Sequence, residues 1–158
     1  MALKELLRIR EGILADLHAD HEAVDQLLQR VLDSDDAAER RELFAQVRAE
    51  LKAHSEAEAK ILYRKLDKTE NEDSRLFAFE GDVEHEVLAE QLDKLWAMRD
   101  KTSEKWTARA QVLQEVLRHH VKEEESDGFE RAHAEFSKDE LEKMGARFKR
   151  EKAKLLEG

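Results

Sequence analysis

Apolar residues in this chain recur every three or four positions along four separate stretches, and the sequence holds no proline to interrupt any of them. A period near 3.6 marks one face of an α-helix. Leu14, Leu17, Val24, Leu28 and Val31 make the first stripe, and Phe44, Val47, Leu51 and Ile61 the second. Ala78, Leu88, Leu92 and Leu95 make the third, and Trp106, Ala110, Leu113 and Leu117 the fourth. Stripes of this kind are buried by facing one another across a bundle. The polar stretches between them carry helix-start signals. Asp36 with Glu39, and Thr69 with Glu72, have the spacing at which a side-chain oxygen accepts from free amides of a first turn. Gly128 reads as a break after the fourth stripe. Ser137 with Glu140 then reads as the cap of a last helix, with Leu141, Met144, Phe148 and Leu155 on one side. Short turns imply antiparallel neighbours. The predicted fold is therefore all-α, an antiparallel up-down-up-down four-helix bundle with a docked C-terminal helix. One domain is expected over residues 1–158, with the bundle at about 13–135 and the last helix at about 137–156. Gly12 reads as a break, so the residues before Leu14 either extend the first helix or form a separate arm.

Charge and composition then narrow the function classes. The net charge of −10 argues against nucleic acid, whose phosphates need a basic face. The lysine-rich end, RFKREKAKLLEG, reads as a solvated helix face. The absence of cysteine excludes disulfides, thiol catalysis and thiolate metal sites. Metals held by imidazole and carboxylate remain open. The start, MALKELLRIREGILADL, is charged throughout and lacks the apolar core of a signal peptide. No apolar run is long enough to span a membrane. A soluble, cytoplasmic protein is expected, with no membrane partner.

The histidines are the polar residues that interrupt the apolar stripes. Histidine followed by glutamate four residues on occurs four times, at His18/Glu22, His54/Glu58, His119/Glu123 and His120/Glu124. In so acidic a chain, spacing alone does not choose among them. The helical face does. His21 fills a core slot in the row Leu14, Leu17, His21, Val24, Leu28, and His54 and Glu58 fill slots between Leu51 and Ile61. His85 precedes Leu88, and His120 and Glu124 continue the row from Leu113 and Leu117. His119 is turned about 100° off that row. His18 lies about 60° from His21 and is the alternative or an assistant to it. His133 reads as a surface or flanking residue.

Height along the bundle gives a second test. Residues on antiparallel neighbours are level when the turn lies midway between them. The midpoints of His21/His54, His54/His85 and His85/His120 fall at Ala37–Ala38, Thr69–Glu70 and Thr102–Ser103, all in or beside the predicted turns. Four histidines, one per helix, should therefore share one layer. Glu58 and Glu124 lie one turn beyond it, and helical side chains lean back towards the N-terminus. Unpaired carboxylates and imidazoles are costly to bury, and a metal supplies the missing positive charge. DHEAVDQLL (Asp20 to Leu28) also matches EHEVLAEQL (Glu84 to Leu92), and each precedes a His-x3-Glu segment. Two similar hairpins, each offering two histidines and one glutamate, suit a two-metal site.

The pattern of His21, His54-x3-Glu58, His85 and His120-x3-Glu124 resembles the hemerythrin-like, or HHE cation-binding, domain. The likeness runs from about Leu14 to Leu156. It includes the aromatic after each His-x3-Glu (Tyr63, Phe129), the run RHHVKEEE and the closing FSKDELEKMGARF. Ferritin-like bundles, which use Glu-x-x-His, fit neither the order nor the spacing. The resemblance implies two iron ions, a non-haem di-iron centre bridged by two carboxylates and a solvent-derived oxygen. His21, His54, His85 and His120 would be terminal ligands, and Glu58 and Glu124 would bridge. Two departures from the oxygen carriers stand out. Gly81 takes the place of their fifth histidine. Glu124, four residues after its histidine, takes the place of an aspartate five residues on.

With four histidines the centre should be more open and symmetric than a carrier's. The expected function is a di-iron protein that reacts with dioxygen or hydrogen peroxide, extending to catalase-like decomposition of peroxide. The alternative is a sensor or binding module for iron, dioxygen or nitric oxide without turnover. Histidine and carboxylate do not by themselves select iron over zinc or manganese. Tyr63 reads as a core aromatic, with a redox or ligand-supporting role as the sharper alternative. Glu22, Glu84, Glu86 and Glu123 are candidate acceptors for ligand imidazoles, against a plainer reading as solvated residues.

Overall fold

The computed structural model describes residues 11–158. Five long helices account for most of them: α1 (Ile13–Asp33), α2 (Ala37–Glu58), α3 (Glu72–Ala97), α4 (Glu104–Glu123) and α5 (Lys138–Glu157). No strand occurs among the described residues. α2 runs on through a π-helical turn, Ala59–Tyr63, into Arg64–Leu66. α4 does the same through Glu124–Gly128 into Phe129–Glu135.

The helix starts follow from side chains that satisfy first-turn amides. Asp36 accepts from the Glu39 N–H at 2.8 Å. Ser103 accepts from Trp106, and Ser137 and Glu140 form the reciprocal capping box read from their spacing. Thr69 does not cap α3. Its hydroxyl donates to the Leu66 carbonyl, while Asn71 accepts from the N–H groups of Asp73 and Ser74. Gly128 is not a break either. It is helical, at φ −61° and ψ −44°. Its missing side chain is needed because the Phe77 ring lies where a Cβ would project, 2.4 Å from Cζ. Gly12, by contrast, has φ +57° and starts α1.

The apolar stripes bury as two separate clusters. One contains Val24, Leu28, Phe44, Val47, Leu88, Leu92, Leu95, Trp106 and Leu113. There Phe44 meets Trp106 edge-on at 5.3 Å, and the Trp106 indole N–H donates to the Leu95 carbonyl. Buried Arg40 ties the connections together by donating to the carbonyls of Ser34 and Lys101. The other cluster contains Leu14, Leu17, Ile61, Leu62, Tyr63, Phe77, Phe129, Leu141, Met144 and Phe148, so α5 buries its apolar side there. Each fully buried Leu or Phe contributes about 2 kcal/mol. The two clusters flank a layer of buried polar side chains: His21, His54, Glu58, His120 and Glu124.

Candidate metal centre

Each histidine of the predicted layer comes from a different helix, and the structure brings all four together. The His21 and His54 rings lie 5.0 Å apart, and His85 and His120 5.2 Å apart. Glu58 and Glu124 stand between the pairs and are almost wholly buried. Glu58 Oε1 lies 3.0 Å from His85 Nε2 and 3.7 Å from His54 Nε2. Glu124 Oε1 lies 3.0 Å from His21 Nε2, and its Oε2 lies 3.5 Å from His120 Nε2. Two groups have donor atoms within 4.8 Å of one another, His21/His54/Glu58/Glu124 and Glu58/His85/His120, with Glu58 in both.

The inward atoms converge without satisfying each other. His21 Nε2, His54 Nε2, both Glu58 oxygens and Glu124 Oε1 are buried and lack a hydrogen-bond partner. The 3.0 Å approach of His21 to Glu124 is therefore two groups facing a common point and not a well-aligned hydrogen bond. The outward atoms are paired. His21 Nδ1–H donates to Glu125 at 2.7 Å, His54 Nδ1–H to Asp20 at 2.9 Å, and His120 Nδ1–H to Glu84 at 2.7 Å. A carboxylate behind an imidazole fixes its tautomer and leaves the Nε2 lone pair pointing inward. His85 is braced by stacking on Tyr63, with ring centroids 5.1 Å apart.

Electrostatics carry the same message. Burial pushes the Glu58 carboxyl well above the usual range, and the neighbouring Glu124 charge adds to it. Burial acts the same way on Glu124, but the Glu58 carboxyl and the His21 and His120 imidazoles outweigh it and hold Glu124 well below the usual range. For His21, burial is outweighed by Glu124 and Glu125, which raise it to about 9. For His85, burial with the His120 charge outweighs the Glu124 carboxylate and lowers it to about 3. Two buried carboxylates with unpartnered oxygens, ringed by inward nitrogens, fit a cation. The all-nitrogen-and-oxygen donor set suits a hard or intermediate metal.

The surrounding residues sort differently from expectation. Glu84 does back a ligand imidazole, but Glu22 pairs with His18 and Glu123 with exposed His119. Glu86 is exposed. Asp20 and Glu125 escaped the sequence reading. Asp20 immediately precedes His21, and Glu125 ends the run Glu123–Glu125, so in each case the residue beside a ligand turns outward to hold another ligand. His18 does not join the cluster. Its Nδ1 donates to the second oxygen of Glu125 at 2.8 Å, behind His21.

Tyr63 is both a core aromatic and a neighbour of the site. Its hydroxyl donates to Glu124 Oε2 at 2.5 Å. A Cβ at Gly81 would lie 2.5 Å from the Tyr63 ring, so the tyrosine occupies the space into which a side chain at position 81 would project. Burial, reinforced by the Glu124 charge, keeps the phenol protonated by raising it well above its ordinary value.

Comparison with known proteins agrees with the geometry. The model of the hemerythrin HHE cation binding domain matches residues 12–132. A protein from Nostoc sp. named DNA nickase is 29% identical over 145 residues, 88% of this chain and 38% of that protein. The chain thus spans little more than a third of that relative's length. No solved structure matches. The family match over most of the chain, together with the buried histidine–glutamate cluster it encloses, shows that this protein belongs to the hemerythrin HHE cation-binding domain family.

Proposed function

We propose that this chain is a non-haem di-iron protein that reacts with dioxygen or hydrogen peroxide. In this reading His21 and His54 would hold one iron and His85 and His120 the other, with Glu58 and Glu124 as the carboxylates shared between them. The observation that carries it is the reach of Glu58 into both donor groups. The pairing also follows the repeat, because each hairpin of an up-down-up-down bundle contributes one histidine pair and one glutamate. A single domain with α5 docked on it completes this reading of the architecture.

Iron bound there would supply redox equivalents and Lewis acidity to a small oxygen species. The protein's own residues do the rest. Asp20, Glu84 and Glu125 hold three imidazoles in the ligating tautomer. The Tyr63 phenol fixes Glu124 Oε2 and presents a proton beside it. The flanking apolar clusters exclude water. A groove of about 310 Å³ between α2 and α3, floored by Leu51, Leu88 and Leu92, reaches His85 and suits the approach of a small neutral molecule.

Adding hydrogen peroxide to iron-loaded protein tests the activity. Sustained oxygen release is expected. A colour change without turnover would favour the second reading, a sensing or binding module. That second reading draws support from the Nostoc protein, in which the similar stretch is joined to further sequence. The net charge of −10 favours leaving any contact with nucleic acid to other parts of such a protein.

A further inference from the structure

The carboxylate behind His54 differs from the other two. Its second oxygen accepts from a side chain of α5. Asp20 Oδ2 accepts from His54 Nδ1–H at 2.9 Å, and Asp20 Oδ1 accepts from Lys152 Nζ at 2.9 Å. Lys152 reaches Glu50 Oε2 at 3.0 Å with the same ammonium. One lysine of α5 therefore spans α1 and α2 at the level of the site. Asp20 and Lys152 side chains are both more than four-fifths shielded, so the pair is not a freely solvated surface contact. One helical turn earlier on α5, buried Phe148 meets the His54 ring edge-on at 5.7 Å.

The backbone of α5 is fixed against α1 as closely as chains allow. A Cβ at Gly12 would lie 2.3 Å from the Leu141 carbonyl, and one at Gly145 2.9 Å from Ile13 N. Leu141, Met144 and Phe148 fill the apolar cluster on that side of the site. The position of Lys152 relative to Asp20 is thus set by packing along most of the helix. The family model matches residues 12–132, which include Asp20 and His54 but not Lys152 of α5.

Resting on the metal centre proposed above, we propose that α5 is a working part of that centre, with Lys152 a positioning residue that acts through Asp20 to orient His54. The ammonium holds Asp20 in the rotamer that accepts from Nδ1–H, and Phe148 blocks the ring from turning away. Partners behind a ligating imidazole typically influence metal affinity by about 10–100-fold.

Cobalt(II) titration of the chelated full-length chain tests this, because its visible absorption reports ligand geometry independently of any turnover. Lys152→Ala is expected to weaken cobalt binding by about 10–100-fold and to alter the spectrum. Lys152→Arg should restore most of both. Lys149→Ala is the control. Lys149 pairs with Asp16 from the same helix without reaching a histidine, so its cobalt affinity should stay within about twofold of native. Thermal melting of the chelated variants separates a general loosening of α5, which would move both alanine variants alike. Native affinity and spectrum in Lys152→Ala would overturn the inference and leave the metal centre standing. Native protein that binds no cobalt would overturn both.

Discussion

Glu58 has both carboxylate oxygens buried without a hydrogen-bond partner, beside a second buried carboxylate. A group of this kind costs stability on its own account and is retained for what it binds. Glu58→Gln removes the charge at nearly constant volume. It is expected to stabilise the chelated protein by about 1–3 kcal/mol while abolishing metal binding, read by urea unfolding and metal analysis. Destabilisation of the chelated form would contradict the burial argument. The histidines give a pH signature in the same metal-free state. His21 is held at about 9 by Glu124 and Glu125 against burial, so its contribution is full below about pH 6.5 and is lost as the pH rises towards 9. His85, lowered to about 3 by burial and the His120 charge, is buried neutral. The unfolded chain takes up that proton first, so stability also falls as the pH drops from about 6.5 towards 3. Urea midpoints of chelated protein should therefore fall on both sides of about pH 6.5. His21→Ala should flatten the alkaline limb, and an unchanged limb would contradict the assignment. The six converging residues were legible because each breaks an apolar stripe in a slot that only a partnered polar group tolerates. Asp20 and Glu125 were not, since both lie off the inward row in a chain where acids are common.

At the scale of elements, the two π-helical turns stand directly beside the two central glutamates, Ala59–Tyr63 after Glu58 and Glu124–Gly128 starting at Glu124. Five residues along an α-helix turn a side chain about 140° away from its starting face. A π turn, with its i→i+5 bonding, takes up the extra residue and keeps Tyr63 and Phe129 buried. This explains why an aromatic follows each His-x3-Glu by five places. The sequence shows the repeat but not the turn, because a single-turn π segment has the same local propensities as the helix around it. Gly128 illustrates the difficulty. Read alone it resembles a stop, whereas the ring of Phe77, about fifty residues earlier, is what requires it. Gly81 is the counterpart under Tyr63. Gly81→Ala is expected to displace the tyrosine, break its bond to Glu124 and cost about 1–3 kcal/mol in urea unfolding. Gly81→Ala combined with Tyr63→Ala should recover part of that loss. No recovery would mean that the clash is not with Tyr63.

For the whole molecule, helix number and the existence of a C-terminal helix were open to reading from stripe periodicity and the Ser137–Glu140 cap. What periodicity could not reveal is that α5 touches the centre. Lys152 and Asp20 are 132 positions apart, and neither occupies an inward slot. The architecture divides the labour. One apolar cluster, with Arg40 tying the connections, closes the bundle on one side of the polar layer, while the other recruits α5 on the opposite side. No helix of the described residues is long and apolar enough to cross a membrane. Six donors, five of them buried, converge from four helices, so a metal held there as proposed would join the two hairpins. Elemental analysis of the native protein beside Glu124→Ala and His119→Ala tests that account most directly. The prediction is two iron ions per chain in native protein and in His119→Ala, with sharply less in Glu124→Ala. Equal metal in native protein and Glu124→Ala, or none in either, would contradict it.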